Sequence, residues 1–92
     1  MSSVAAARYV ISGRVQGVGF RYFTQRAARE AGMTGWVRNR DDGSVEVHAN
    51  GTPRQLAELE AILRKGPAGA DVRSFEVTEA PVLELSGFHI HS

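Results

Sequence analysis

Tyr9-Val10-Ile11-Ser12-Gly13-Arg14-Val15-Gln16-Gly17-Val18-Gly19-Phe20-Arg21-Tyr22-Phe23 is the stretch around which the rest of the chain is read. It begins as an apolar run and ends in a segment where Phe20, Phe23, Ala27, Ala28 and Ala31 recur at helical spacing. Between the two lies a glycine-bearing turn. A helix start leaves N–H groups unpaired and presents the positive end of its dipole, so a strand entering a helix this way suits an anion. Gly17 and Gly19 can take backbone angles closed to other residues, which lets neighbouring N–H groups converge. Arg21 adds a permanent, forked cation at the first helical turn. On the residues alone, a plain tight turn stays open as a rival, because neither the dinucleotide nor the P-loop fingerprint is completed. An RNA-reading strand is the second rival, since Gln16 to Phe23 superficially echoes such a motif. That motif belongs on a strand, and the spacing here is helical.

The bulk properties narrow the class. Ninety-two residues without an internal repeat fit one compact domain, residues 1–92, with a modest core. The formal net charge of +1 is too small to point to a nucleic-acid partner by itself, none is expected, and any positive field must come from local placement. Arg14, Arg21, Arg38 and Arg40 are expected to supply it. The absence of cysteine excludes disulfides, thiolate metal sites and a cysteine nucleophile. No apolar run approaches the roughly 18 residues of a membrane span, so no membrane partner is expected. Residues 1–7 read as a flexible leader without the character of a secretory signal, and the cytoplasm is the expected location.

Taken in order, the chain gives a strand from Ala7 to Val15 and a helix from Phe20 to about Ala31, stopped by Gly32. Gln25, Arg26, Arg29 and Glu30 are expected to face water. Met33 to Arg40 and Ser44 to Asn50 read as strands joined through Asp41-Asp42-Gly43, a hairpin signal. Val45, Val47 and Ala49 share one face of the second strand, while Glu46 and His48 share the wetter one. Thr52-Pro53-Arg54-Gln55 opens a second helix with a cap, a proline at the first position and a capping box. Its stripe is Leu56, Leu59 and Leu63 with Ile62 alongside, and Gly66-Pro67 ends it. Strands follow at Val72 to Thr78 and Phe88 to His91. This order predicts an α+β, ferredoxin-like fold (β-α-β-β-α-β): an antiparallel sheet, two helices on one face, and a short extra C-terminal strand.

The usual catalytic groups are sparse. His89 and His91 share a strand face but lack a third ligand, and no serine or threonine sits in a nucleophile elbow. Asp41 and Asp42 are explained by turn chemistry. No metal and no cofactor is expected. Positioning and electrostatics remain, and phosphoryl transfer needs little else.

Ser12 to Arg21 resembles a signature of the acylphosphatases, small enzymes that hydrolyse carboxyl–phosphate mixed anhydrides. Gly35-Trp36-Val37-Arg38-Asn39, followed by Asp42-Gly43-Ser44-Val45-Glu46, resembles that family's second signature, and the similarity runs from about Tyr9 to Ile90. The resemblance implies a ferredoxin-like fold and metal-independent hydrolysis of a small-molecule acyl phosphate without a covalent intermediate. It implies Arg21 and Asn39 as the catalytic residues, binding phosphate and orienting the attacking water. Phosphate would rest on Val15, Gln16, Gly17, Val18, Gly19, Phe20 and Arg21, with phosphate or sulfate as site ligand and a monomer as the working form. On the residues alone, Asn39 ahead of a hairpin reads as a turn former. Arg40 departs from the small hydroxyl residue expected there in many relatives. Two other readings are an anion- or nucleic-acid-binding module on the same fold, and a domain of a larger metalloenzyme maturation factor. Near-neutral charge weighs against the first, and the short chain against the second.

Overall fold

The computed structural model describes residues 3–91. Its elements are β1 (Ala5–Arg14), α1 (Phe20–Glu30), β2 (Thr34–Asn39), β3 (Val45–Gly51), α2 (Pro53–Lys65), β4 (Asp71–Glu79) and β5 (Phe88–His91). The five strands form one sheet in the order β4-β1-β3-β2-β5. The first four pair antiparallel, as the ferredoxin-like pattern requires. The expectation of a wholly antiparallel sheet is corrected at its edge. β5 lies parallel to β2, Gly35 opposite Phe88 and Val37 opposite Ile90, so the sheet is mixed. The chain returns to the edge through residues 80–87, which carry it back to run in the same direction as β2.

The flexible leader expected over residues 1–7 does not extend to Ala5, Ala6 and Ala7. Ala5, Ala6 and Ala7 pair with Gly51, Asn50 and Ala49, so β1 claims them, while Met1 and Ser2 lie outside the described residues together with Ser92. Alanine is depleted in strands and gives no strand signal of its own; pairing with β3 recruits these three.

Both helices cover one face, touching each other and the sheet. Tyr9, Ile11, Val37, Val45 and Val47 point into this layer against Phe20, Ala28, Leu59 and Leu63. Helix α1 ends where Gly32 was expected to stop it: the Gly32 N–H donates to the Arg29 carbonyl and the Met33 N–H to that of Ala28. Helix α2 starts with the expected box. Thr52 Oγ1 accepts from the Gln55 N–H at 3.1 Å, and Gln55 Oε1 accepts from the Thr52 N–H at 2.8 Å. Thr24, absent from the expected stripe of α1, is fully buried because its hydroxyl donates to the Phe20 carbonyl at 2.9 Å. Gln25 and Arg29 were expected simply to face water, yet both donate to the Phe88 carbonyl, at 3.1 and 3.0 Å, and so hold β5 in place.

Among the described residues the other face of the sheet carries no helix, but its middle is not wet. Glu46, His48 and Asn50 are all buried, contrary to the wetter face expected for β3. Glu46 accepts from both Arg8 and Arg38, the latter at 2.6 Å, and Trp36 stacks on His48 and His91 with ring centroids 6.0 and 5.6 Å away. Asn50 donates to the Leu83 carbonyl at 2.7 Å, drawing the segment before β5 across the face. Burial pushes the Glu46 carboxyl upward, but hydrogen bonds from Arg38 and Arg8, with their charges, outweigh it and hold it below the ordinary glutamate range.

Gly35 is the tightest point of the β2–β5 edge. A Cβ there would stand 2.0 Å from the His48 carbonyl oxygen and 2.8 Å from the Phe88 ring, at a φ of 151°. Backbone cannot yield as a flexible side chain does. Gly35→Ala is expected to lower stability by roughly 2–5 kcal/mol, combining backbone strain with overpacking. Urea unfolding of both proteins measures it.

Candidate functional site

Two chain segments meet at one end of the sheet because both are registered to the start of β3. Ile11 of β1 and Asn39 of β2 each pair with Val45. Beyond Ile11 the chain runs through Gly13 and Val15 into the loop before α1; beyond Asn39 it enters the hairpin turn. The loop and Asn39 are thereby neighbours.

The loop is held in shape by two glycines and one amide. Gly17 and Gly19 both have φ 77°, and Gly19 serves as the N-cap of α1 without a side-chain cap. A Cβ at either would meet nothing within 4 Å, so the backbone angle, not crowding, demands glycine. Gln16 then ties the loop to the hairpin: its Nε2 donates to the carbonyls of Arg40 and Ser44 at 2.8 and 3.0 Å. The turn it grips is itself braced, since Asp42 Oδ1 accepts from the Ser44 N–H at 2.9 Å and from its hydroxyl at 2.6 Å. Those bonds to Ser44, with the charge of Arg40, hold the Asp42 carboxyl below the usual range. The turn chemistry expected of Asp42 is thus what it does.

A cavity of about 210 Å³ opens between these segments, lined by Val15, Gly17, Gly19, Phe20, Arg21, Tyr22, Asn39 and Ile90. Arg21 and Asn39, taken from different signatures, line the same cavity. Val15 and Phe20 are 1 % and 2 % exposed and form its floor. Gln16 and Val18 do not line it: Gln16 is turned to the hairpin, and Val18 packs partly buried against the core. Among the described residues, none of the N–H groups from Gln16 to Arg21 makes a well-formed bond to a backbone carbonyl outside the helix; that of Phe23 is the first, to Gly19 at 3.0 Å. Helix α1 has no acidic residue in its first turn, so its positive end is not neutralised locally.

The four arginines expected near the site part company. Arg38 turns to the opposite sheet face, where it pairs with Glu46 and lies 5.9 Å over the Trp36 ring. Arg40 pairs with Asp42 at 3.7 Å and lines a separate hollow of about 430 Å³ shared with Arg38, Asn39, Asp41 and Asp42. Arg14 ends β1 exposed. Arg21 alone lines the cavity, and among the described residues it has no ion-pair partner. Loop N–H groups, a guanidinium with no ion-pair partner among the described residues and a neutral amide are a donor set for a small tetrahedral oxyanion. No group of three or more His, Asp or Glu among the described residues is placed to hold a metal ion. Ile90 was not anticipated as a lining residue. No sequence signal says that β5 joins β2, and only that pairing brings it here.

The acylphosphatase family model matches residues 7–90. An acylphosphatase of Solibacter usitatus (strain Ellin6076) is 49% identical over 90 residues, covering 98% of this chain and 94% of its own. One of Pasteurella multocida (strain Pm70) is 55% identical over 84 residues, covering 90% and 93%. The crystal structure of an acylphosphatase from Bacillus subtilis superposes with a TM-score of 0.91 at 40% identity, covering 96% of this chain and 99% of that one.

Phosphate binding reports directly on the donor set. Inorganic phosphate at a hundred times its Kd is expected to stabilise the wild-type protein against urea by about 2.7 kcal/mol. At that same phosphate concentration, with ionic strength matched by chloride, Arg21→Ala is expected to gain less than half as much.

Proposed function

The chain belongs to the acylphosphatase family and hydrolyses acyl phosphates, and on that premise we propose how its own residues perform the reaction. The phosphoryl group rests on the loop N–H groups from Gln16 to Arg21, within the segment Val15 to Arg21, while the Arg21 guanidinium takes the charge on its equatorial oxygens. Asn39 holds a water on line with phosphorus. Its uncharged amide can accept from and donate to that water without repelling it from the anion, as a carboxylate would. The water oxygen forms the new bond to phosphorus as the bond to the acyl oxygen breaks. That electron pair leaves on the carboxylate, and the water's protons pass to inorganic phosphate and solvent.

Little acid–base help is needed. The transition state is loose and the carboxylate is a good leaving group, so fixed donors supply most of the acceleration. The observation that carries the reading is the shared cavity: Arg21, unpaired, and Asn39, from the far side of the sheet's centre strand, both line the hollow over the glycine loop. The reading takes the chain as one domain, a metal-independent monomer of the cytoplasm, with phosphate or sulfate competing for the cavity.

A benzoyl phosphate assay in the presence of a chelator tests the assignment. Activity is expected to survive chelation. Arg21→Ala should lose roughly 10²–10³ in kcat/KM or more, since it removes a preorganised donor that also binds. Asn39→Ala should lose turnover while keeping most of its affinity for inorganic phosphate. Normal turnover by Asn39→Ala would assign the water to the wrong residue.

A further inference from the structure

The cavity is too small for the whole of most substrates. Its 210 Å³ falls below the roughly 300–1,000 Å³ of pockets that enclose drug-sized ligands. With the phosphoryl group on the loop and Arg21, the acyl carbonyl and its substituent must pass out through the opening. Part of what they meet there is apolar. Val15 and Phe20 are the buried floor, whereas the two exposed apolar lining residues are Tyr22, 63 % exposed, and Ile90, 38 % exposed.

Neither rim residue is engaged elsewhere. Tyr22 and Ile90 are not among the hydrophobic side chains packed on the core, and the Tyr22 hydroxyl has no hydrogen-bond partner among the described residues. Single exposed hydrophobics need no explanation, but two from distant segments at the mouth of one polar cavity do. Tyr22 stands on the first turn of α1, next to Arg21, and Ile90 comes from β5, opposite Val37. The bonds from Gln25 and Arg29 to the Phe88 carbonyl hold β5, and so Ile90, against the same helix.

We propose that Tyr22 and Ile90 form the subsite for the acyl substituent, so that the enzyme selects acyl phosphates bearing an aromatic or bulky aliphatic group over small or charged ones. This rests on the assignment of the phosphoryl group to the loop and Arg21. The phenol ring offers a flat apolar face at low entropic cost, and the Ile90 side chain offers a branched aliphatic one. A carboxylate-bearing acyl group would gain nothing from either and would be partly desolvated.

The test is kcat/KM for benzoyl phosphate and for acetyl phosphate, in the wild type, Tyr22→Phe, Tyr22→Ala, Ile90→Ser and Arg21→Ala. The wild type should favour benzoyl phosphate by at least about tenfold, the range that a small increment of apolar contact supplies. Tyr22→Ala and Ile90→Ser should each cut that ratio roughly three- to tenfold, mainly through KM for benzoyl phosphate, and Tyr22→Phe should keep it. Arg21→Ala should lose both substrates alike. If Arg21→Ala fails on both substrates while the rim variants leave the ratio unmoved, the subsite inference alone is wrong. If Arg21→Ala keeps both rates, the phosphoryl assignment falls and takes the subsite with it. A loss of the ratio in Tyr22→Phe would overturn the apolar account in favour of the hydroxyl.

Discussion

The register of β3 against its two neighbours is the constraint from which the site follows. Val45 pairs on one side with Ile11 and on the other with Asn39, so the exits of β1 and β2 lie at the same end of the sheet. A strand's side chains alternate between faces, so a slip of one residue in the β2–β3 ladder would turn Asn39 away from the helix layer, and one in the β1–β3 ladder would do the same to Ile11 ahead of the loop. The register is well defended. All seven residues of β3 are buried, with Val45, Val47 and Ala49 under the helices and Glu46, His48 and Asn50 engaged on the other face. Gln16 completes the arrangement from the loop side with two bonds to hairpin carbonyls. Each is worth only about 1 kcal/mol net, too little to hold a fold but enough to favour one loop position over its near rivals.

Charge placement rather than total charge makes the site. A net charge of +1 says nothing about an anion site, and the local cluster of arginines suggested by the sequence disperses when the chain folds. Arg8 and Arg38 are consumed by Glu46, Arg26 by Glu30, Arg64 by Glu60, and Arg40 leans on Asp42. These exposed or half-exposed pairs contribute little to stability, apart from those on the buried Glu46 carboxylate. Arg21, by contrast, has no ion-pair partner among the described residues and lines the cavity on a helix whose first turn holds no acidic residue.

How much of this was legible depends on whether the signal was local. The cap of α2, its capping box, the glycine stop of α1 and the Asp42-Gly43 turn are short-range hydrogen-bonding patterns, and each forms where the residues say it should. The positive-φ glycines of the loop and the helix start beside Arg21 were legible for the same reason: they are written in adjacent residues. Asn39 was visible mainly through its resemblance to a known signature, because an Asn before a hairpin has a cheaper explanation as a turn former. Three features were not legible. Glu46 and His48 look like solvent-facing residues by alternation, and only Arg8, Arg38, Trp36 and Asn50, gathered from separate segments, bury them. The partner of a four-residue edge strand cannot be read from its own sequence, so neither the parallel β2–β5 pairing nor Ile90 at the cavity mouth could be foreseen. Arg29 is exposed and Gln25 half-buried, but that both donate to the Phe88 carbonyl could not be read from helical spacing.

The central claim is that loop amides, the Arg21 guanidinium and the Asn39 amide face one small tetrahedral anion. A crystal structure of the protein grown in phosphate or sulfate tests it most directly. The account predicts one ion in the cavity over Gly17 and Gly19, within about 3 Å of several N–H groups between Gln16 and Arg21 and of the Arg21 guanidinium, with a water bridging it to Asn39. An empty cavity at saturating phosphate, or an ion bound while Arg21 and Asn39 point away from it, would contradict it.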